Sequence, residues 1–206
     1  EATGHKVITT FSADGKLTPA LLKPILAEHN DEHWVQPKLV YITNATEIGT
    51  VYRKAELQAL RDFCNEHNLW LYLDGARLAA GLMSAQSDLT IEDIASLTDA
   101  FYIGGTKIGA MSAETLVICH PALKSDFRFS LKQKGGLQAK GWLLGAQFEA
   151  LFKDDLYFKL GKHLNEMASQ LTEFFTAQGF EFLAPPESNQ IFVILPNTIA
   201  EKLTQQ

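Results

Sequence analysis

Two spacings of apolar residues alternate through the first 120 positions of this chain. Leu21, Leu22, Ile25 and Leu26 recur at helical intervals and predict a helix from Leu17 to about Asn30. Lys38–Thr43 is a short, β-rich apolar run with the length of a buried strand. A polar, turn-rich stretch over 44–50 follows. Lys54–His67 then reads as helix, with Leu57, Leu60, Arg61 and Cys64 on one face. Trp70–Asp74 is the next predicted strand, ended by Asp74-Gly75, and a short helix starts at Arg77. Thr90 fits a helix N-cap, with Asp93 at the capping-box position. Ala100–Ile103 reads as a strand closed by Gly104-Gly105, and Glu114–Cys119 as another. Lys6–Phe11 has the look of one more strand near the start.

Strands alternating with helices predict βαβ units and an α/β fold with a mostly parallel sheet sandwiched by helices. Strands covered on both faces read as continuous apolar runs, as these do. Beyond Pro121 the texture becomes helical over Leu123–Leu131, Leu137–Phe152 and Leu156 to about Gln178, with Gly179 as a natural C-cap. Phe180–Leu183 and Gln190–Leu195 predict two further strands of a smaller α+β unit. The expected division is a large domain over 1–152 and part of a small one over 153–206.

Composition narrows the function classes. Apolar residues make up 46% and charged residues 20% of 206, an ordinary globular balance. A net charge of −6 argues against a nucleic-acid footprint, which needs a concentrated basic face. No apolar run reaches the roughly 18 residues of a membrane-spanning helix. Cys64 and Cys119 belong to no CxxC or CxxH pattern, so no metal site is expected and a reducing, cytoplasmic setting is. No GxGxxG or Walker run follows an early strand, which disfavours a nucleotide-binding domain. The chain opens at Glu1 without a methionine and stops at Gln206 within a helical pattern, the expectation for part of a longer enzyme.

Candidate chemistry gathers at two strand ends. Asp74 closes one strand within Leu71–Arg77 (LYLDGAR), and Lys107 follows another within Asp99–Ala110 (DAFYIGGTKIGA). Ligands of open α/β sheets bind beyond the carboxyl ends of strands. An enzyme using pyridoxal phosphate (PLP) needs an amine to bond the cofactor aldehyde and a carboxylate to keep the pyridine nitrogen protonated. A guanidinium such as Arg77 suits an amino-acid carboxylate. Each residue alone has an ordinary reading: Asp74-Gly75 as an Asx turn, Arg77 as a solvated side chain, Lys107 as a loop lysine in water.

Together the runs LDGARLAAGL and TDAFYIGGTKIGA resemble the threonine aldolase and β-eliminating lyase family of PLP enzymes, fold type I. The resemblance implies that Asp74 holds the ring nitrogen, Arg77 the substrate carboxylate, and Lys107 the cofactor aldehyde. Thr43–Tyr52 resembles the family segment in which an asparagine, here Asn44, touches the cofactor's phenolic oxygen. Lys132–Gly141 resembles a segment near the cofactor phosphate. Gln138 stands where the family has arginine, and Lys140 lies two residues on as the candidate cation. His5 and His67 read as ordinary surface or edge histidines. The resemblance covers residues 1–195 in consistent order and lacks the phosphate-cradling loop and ring-stacking histidine of such enzymes.

The implied activity is cleavage of the Cα–Cβ bond of β-hydroxy amino acids such as threonine to glycine and an aldehyde. β-Elimination on an amino acid, or a cofactor-free relative, are the alternatives left open. The implied partners are a small amino-acid substrate and further copies of the chain, as a homodimer or homotetramer.

Overall fold

A computed structural model describes residues 4–204; Glu1–Thr3 and Gln205–Gln206 lie outside the described residues. Four strands form one sheet in sequence order. β1 (Leu39–Thr43), β2 (Trp70–Gly75) and β3 (Ala100–Ile103) run parallel, and β4 (Thr115–Ile118) pairs antiparallel with β3. The helices are α1 (Pro19–Glu28), α2 (Lys54–Glu66), α3 (Leu78–Leu82) and α4 (Ile91–Leu97), then α5 (Phe127–Gln133), α6 (Trp142–Phe152), α7 (Leu156–Ala177) and α8 (Asn197–Thr204). The result is the mostly parallel α/β sheet flanked by helices that the alternating pattern predicts.

Local chemistry explains several boundaries. Thr18 accepts the Leu21 N–H and Pro19 opens α1, where a missing donor costs nothing. Thr90 and Asp93 form the expected reciprocal capping box on α4. Glu56 reaches back to the Arg53 N–H at 2.8 Å and caps α2. Gly179, at φ +78, follows the end of α7 in the left-handed conformation that favours glycine.

One sheet face forms the core. Val40, Ile42, Leu71, Leu73, Phe101 and Ile103 pack with Leu57, Leu60, Phe63 and Cys64 of α2 and Ile94 of α4. Tyr157 of α7 is buried in the same core, so the second half of the chain starts in contact with the first. Gly161 makes this close packing feasible: a Cβ there would meet the Ala79 carbonyl oxygen at 2.5 Å. The alternate positions of the strands carry Leu39, Tyr41, Tyr72, Asp74, Tyr102 and Leu116, a face left partly open among the described residues. Beneath the start of β3, Asp99 accepts from Arg61 at 2.8 Å and from the Leu71 N–H at 2.7 Å, an ion pair largely withdrawn from solvent.

Two predicted strand regions differ. Lys6–Phe11 lies in no strand, and Val7 and Phe11 are exposed. No neighbouring strand among the described residues offers it a ladder. Phe180–Leu183 and Gln190–Leu195 reduce to a single antiparallel bridge, Phe182 to Val193. An isolated pair of short strands has too little packing to extend further.

Candidate active site

Asp74 stands one residue before the end of β2, in register with Thr43 of β1 and Tyr102 of β3. Its carboxylate is held by two donors. The Tyr41 hydroxyl donates to Oδ2, and the Ala76 N–H donates to Oδ1 at 2.9 Å. Burial, followed by the hydrogen bond to Asp74 and its charge, pushes the Tyr41 hydroxyl above its ordinary range, so it remains a donor. Tyr41 also stacks on Tyr72 with ring centroids 5.5 Å apart. A carboxylate can take about four hydrogen bonds, so Asp74 keeps capacity for a further donor.

The next three residues turn into a cleft. Ala76, Arg77 and Lys107 line it together with Gly104, Tyr157 and Asn189. Arg77 is the N-cap residue of α3 and its guanidinium has no hydrogen-bond or ion-pair partner among the described residues. Lys107 likewise has none and is exposed rather than desolvated. Two unpartnered cations at one cleft make an attractive setting for an anion. The cleft is small and opens to solvent on one side. The described residues thus build one wall of a site.

The glycines of the Lys107 loop serve contact rather than torsion. Neither Gly104 nor Gly105 has a left-handed φ. A Cβ on Gly104 would lie 2.3 Å from the Ala76 carbonyl oxygen, and one on Gly105 would lie 2.2 Å from that of Ala113. Gly104 therefore lets the Lys107 loop lie directly against the Asp74–Arg77 turn, and Gly105 lets it lie against Ala113, where the sequence predicts only a sharp bend.

Asn44 and Lys140 are not brought to this cleft. Asn44 is fully buried on the core side of the sheet, opposite Asp74. Its Oδ1 accepts the Tyr52 N–H at 3.1 Å, while its Nδ2 has no partner and lies near Gly81. Lys140 is exposed in the loop before α6.

Sequence reasoning missed four residues. Tyr41 holds Asp74, Asn189 lines the cleft, Tyr157 donates to the Gly104 carbonyl at 3.4 Å, and Glu114 grips the Lys107 loop. Only Glu114 left a local signal, an acid just after a glycine-rich loop whose amides need an acceptor.

A mixed α/β sheet with an acid, a guanidinium and an amine at adjacent strand ends belongs to the fold of PLP-dependent enzymes of type I. The β-eliminating lyase family matches residues 1–198, and the chain belongs to it. It is 34% identical to a low specificity L-threonine aldolase of Pseudomonas sp., and 33% identical to one of Pseudomonas aeruginosa. Each alignment covers 98% of this chain and 59% of the relative. The solved structure of Leishmania major threonine aldolase is 53% identical and superposes with a TM-score of 0.96, over 100% of this chain and 60% of that one. The chain thus spans about 59% of the length of these two curated relatives.

The donor set fits PLP. Lys107 supplies an unpaired amine, Asp74 an acceptor with free capacity, and the Arg77–Lys107 pair a positive wall for an anionic ligand.

Proposed function

We propose that the complete protein is a PLP-dependent lyase that cleaves the Cα–Cβ bond of β-hydroxy amino acids such as threonine, giving glycine and an aldehyde. The observation that carries this reading is the cleft where Arg77 and Lys107 meet without acidic partners, joined to Asp74 through the Ala76 N–H. The relatives named threonine aldolase support the same reaction.

PLP, when bound, supplies the electron sink for charge developing at the substrate Cα. Lys107 would hold the cofactor through its amine, which has no competing partner among the described residues. Asp74 would hold the ring nitrogen on its remaining acceptor sites, while Tyr41 and the Ala76 N–H fix the carboxylate's direction. Arg77 pairs with both oxygens of the substrate carboxylate. That grip restricts rotation of the amino acid, and orientation is where a protein contributes most in cofactor chemistry.

Asn44 and Lys140 remain proposed cofactor contacts, to phenolic oxygen and phosphate respectively. Neither is among the residues lining the Arg77–Lys107 cleft. The protein works as a homo-oligomer in this reading, supported by exposed Phe129, Trp142 and Leu143 flanking the Lys132–Lys140 segment. Its compartment is the cytoplasm, a setting suited to two free cysteines. No helix among the described residues is long and apolar enough to cross a membrane.

Product analysis of the full-length protein with PLP and L-threonine tests the reaction. Glycine and acetaldehyde in equal amounts are expected. Formation of 2-oxobutanoate and ammonia would replace the aldolase with a β-eliminating lyase, and failure to bind PLP would leave a cofactor-free relative.

A further inference from the structure

Lys107 needs a fixed loop if its amine is to meet a cofactor aldehyde in one geometry, and one side chain takes three of the hydrogen bonds that hold that loop. Glu114, immediately before β4, receives the Gly105 N–H at 2.7 Å and the Thr106 N–H at 3.2 Å. It also receives the Thr106 hydroxyl. Both carboxylate oxygens are used: Oε2 takes Gly105, and Oε1 takes both Thr106 donors. From the opposite side, the buried Tyr157 hydroxyl donates to the Gly104 carbonyl at 3.4 Å. Ile108 and Ala110 close the turn by donating to the Gly105 carbonyl at 3.0 and 2.9 Å.

We propose that Glu114 is a positioning residue of the active site, which clamps the Gly104–Thr106 backbone and so sets where Lys107 presents its amine. The inference rests on the reading of Lys107 as the cofactor-bonding amine. Hydrogen bonds from backbone N–H to an ionised carboxylate are shorter and roughly twice as strong as neutral ones. Two of these, with the Thr106 hydroxyl as a third donor to the same carboxylate, leave the loop few alternative conformations. Burial alone would raise the Glu114 pKa. The Thr106 hydroxyl, the Gly105 N–H, the adjacent Tyr102 hydroxyl and the Thr106 N–H outweigh it, and the group stays ionised. Glu114 is not among the residues lining the cleft and makes no ion pair with Lys107, so its effect is on placement rather than on the reacting atoms.

The test uses the full-length protein with PLP and the variants Glu114→Ala, Glu114→Gln and Thr106→Val. Amide hydrogen exchange at Gly105 and Thr106 is measured beside kcat and KM. Glu114→Ala should raise exchange at these two amides by at least about tenfold. It should lower kcat by about 10- to 100-fold, the scale of a loss caused by roughly 1 Å of misplacement. KM should stay within about threefold, because substrate binding is untouched. Glu114→Gln keeps one acceptor oxygen and should fall between wild type and Glu114→Ala in both readouts. Should Glu114→Ala not fold, Glu114→Gln and Thr106→Val decide the matter alone, each expected to raise exchange and lower kcat by smaller factors. A folded Glu114→Ala with wild-type exchange at Gly105 and Thr106, or with wild-type kcat, overturns the proposal. A wild-type protein that forms no bond between PLP and Lys107 would instead sink the cofactor reading, and the exchange comparison would still decide the clamp.

Discussion

Substituting Gly104 with alanine forces a methyl group against the main chain of Ala76. The added Cβ would lie 2.3 Å from the Ala76 carbonyl oxygen, 2.7 Å from its carbonyl carbon and 2.8 Å from its Cα. The φ of Gly104 is not in the left-handed region, so the conflict is contact alone. All three obstacles are backbone, and no side-chain rotation relieves them. Ordinary contact begins at 3.4 Å, so the Lys107 loop and the Asp74–Arg77 turn must separate by roughly 1 Å. Overpacking of this kind costs about 1–3 kcal/mol of stability. The catalytic loss should be larger in proportion, because the same movement parts Lys107 from Asp74 and Arg77; on the order of 100-fold in kcat is expected. Urea denaturation and steady-state kinetics on the full-length protein measure the two effects. Gly145→Ala is the control: nothing lies within 4 Å of its added Cβ, and it sits inside α6. That change should leave kcat alone and add up to about 1 kcal/mol of stability. A Gly104→Ala protein with wild-type midpoint and wild-type kcat would refute the claim that the two loops touch.

Other perturbations probe the supporting structure. Asp99→Ala strands the Arg61 guanidinium and the Leu71 N–H, and should cost about 3–5 kcal/mol by denaturant titration; an unchanged midpoint would contradict the buried pair. Thr90→Ala removes the α4 capping box and should cost about 1 kcal/mol in the same assay, whereas a loss near zero would show that α4 is held by packing alone. Glu114 has a lowered folded pKa, so its stabilising contribution is complete above the unfolded value and disappears as pH falls through the folded one. The stability gap between wild type and Glu114→Gln should accordingly stay constant near neutral pH and close below the ordinary glutamate range; a gap that widens with acid would have the wrong sign.

Much of the fold could be read locally. Trp70–Asp74 and Ala100–Ile103 are strands because their apolar runs fit a buried sheet, and Thr90 with Asp93 caps a helix through neighbours three residues apart. Gly179 ends α7 for an equally local reason. Lys6–Phe11 failed because a strand needs a partner that composition does not name. In the candidate site, Asp74, Arg77 and Lys107 were legible from their places at strand ends, while their supports were not. Tyr41 reaches Asp74 across 33 positions and Tyr157 reaches Gly104 across 53, pairings set by sheet register and helix docking. Asn44 is a similar case: its bond from the Tyr52 N–H joins residues eight positions apart in a buried turn, which local pattern does not name.

The central claim is that Lys107 is the amine that bonds PLP. Borohydride reduction of the full-length protein with PLP, followed by peptide mapping, tests it most directly. One label is expected, on Lys107, with none in Lys107→Ala. A label on any other lysine, or undiminished labelling of Lys107→Ala, would contradict the account.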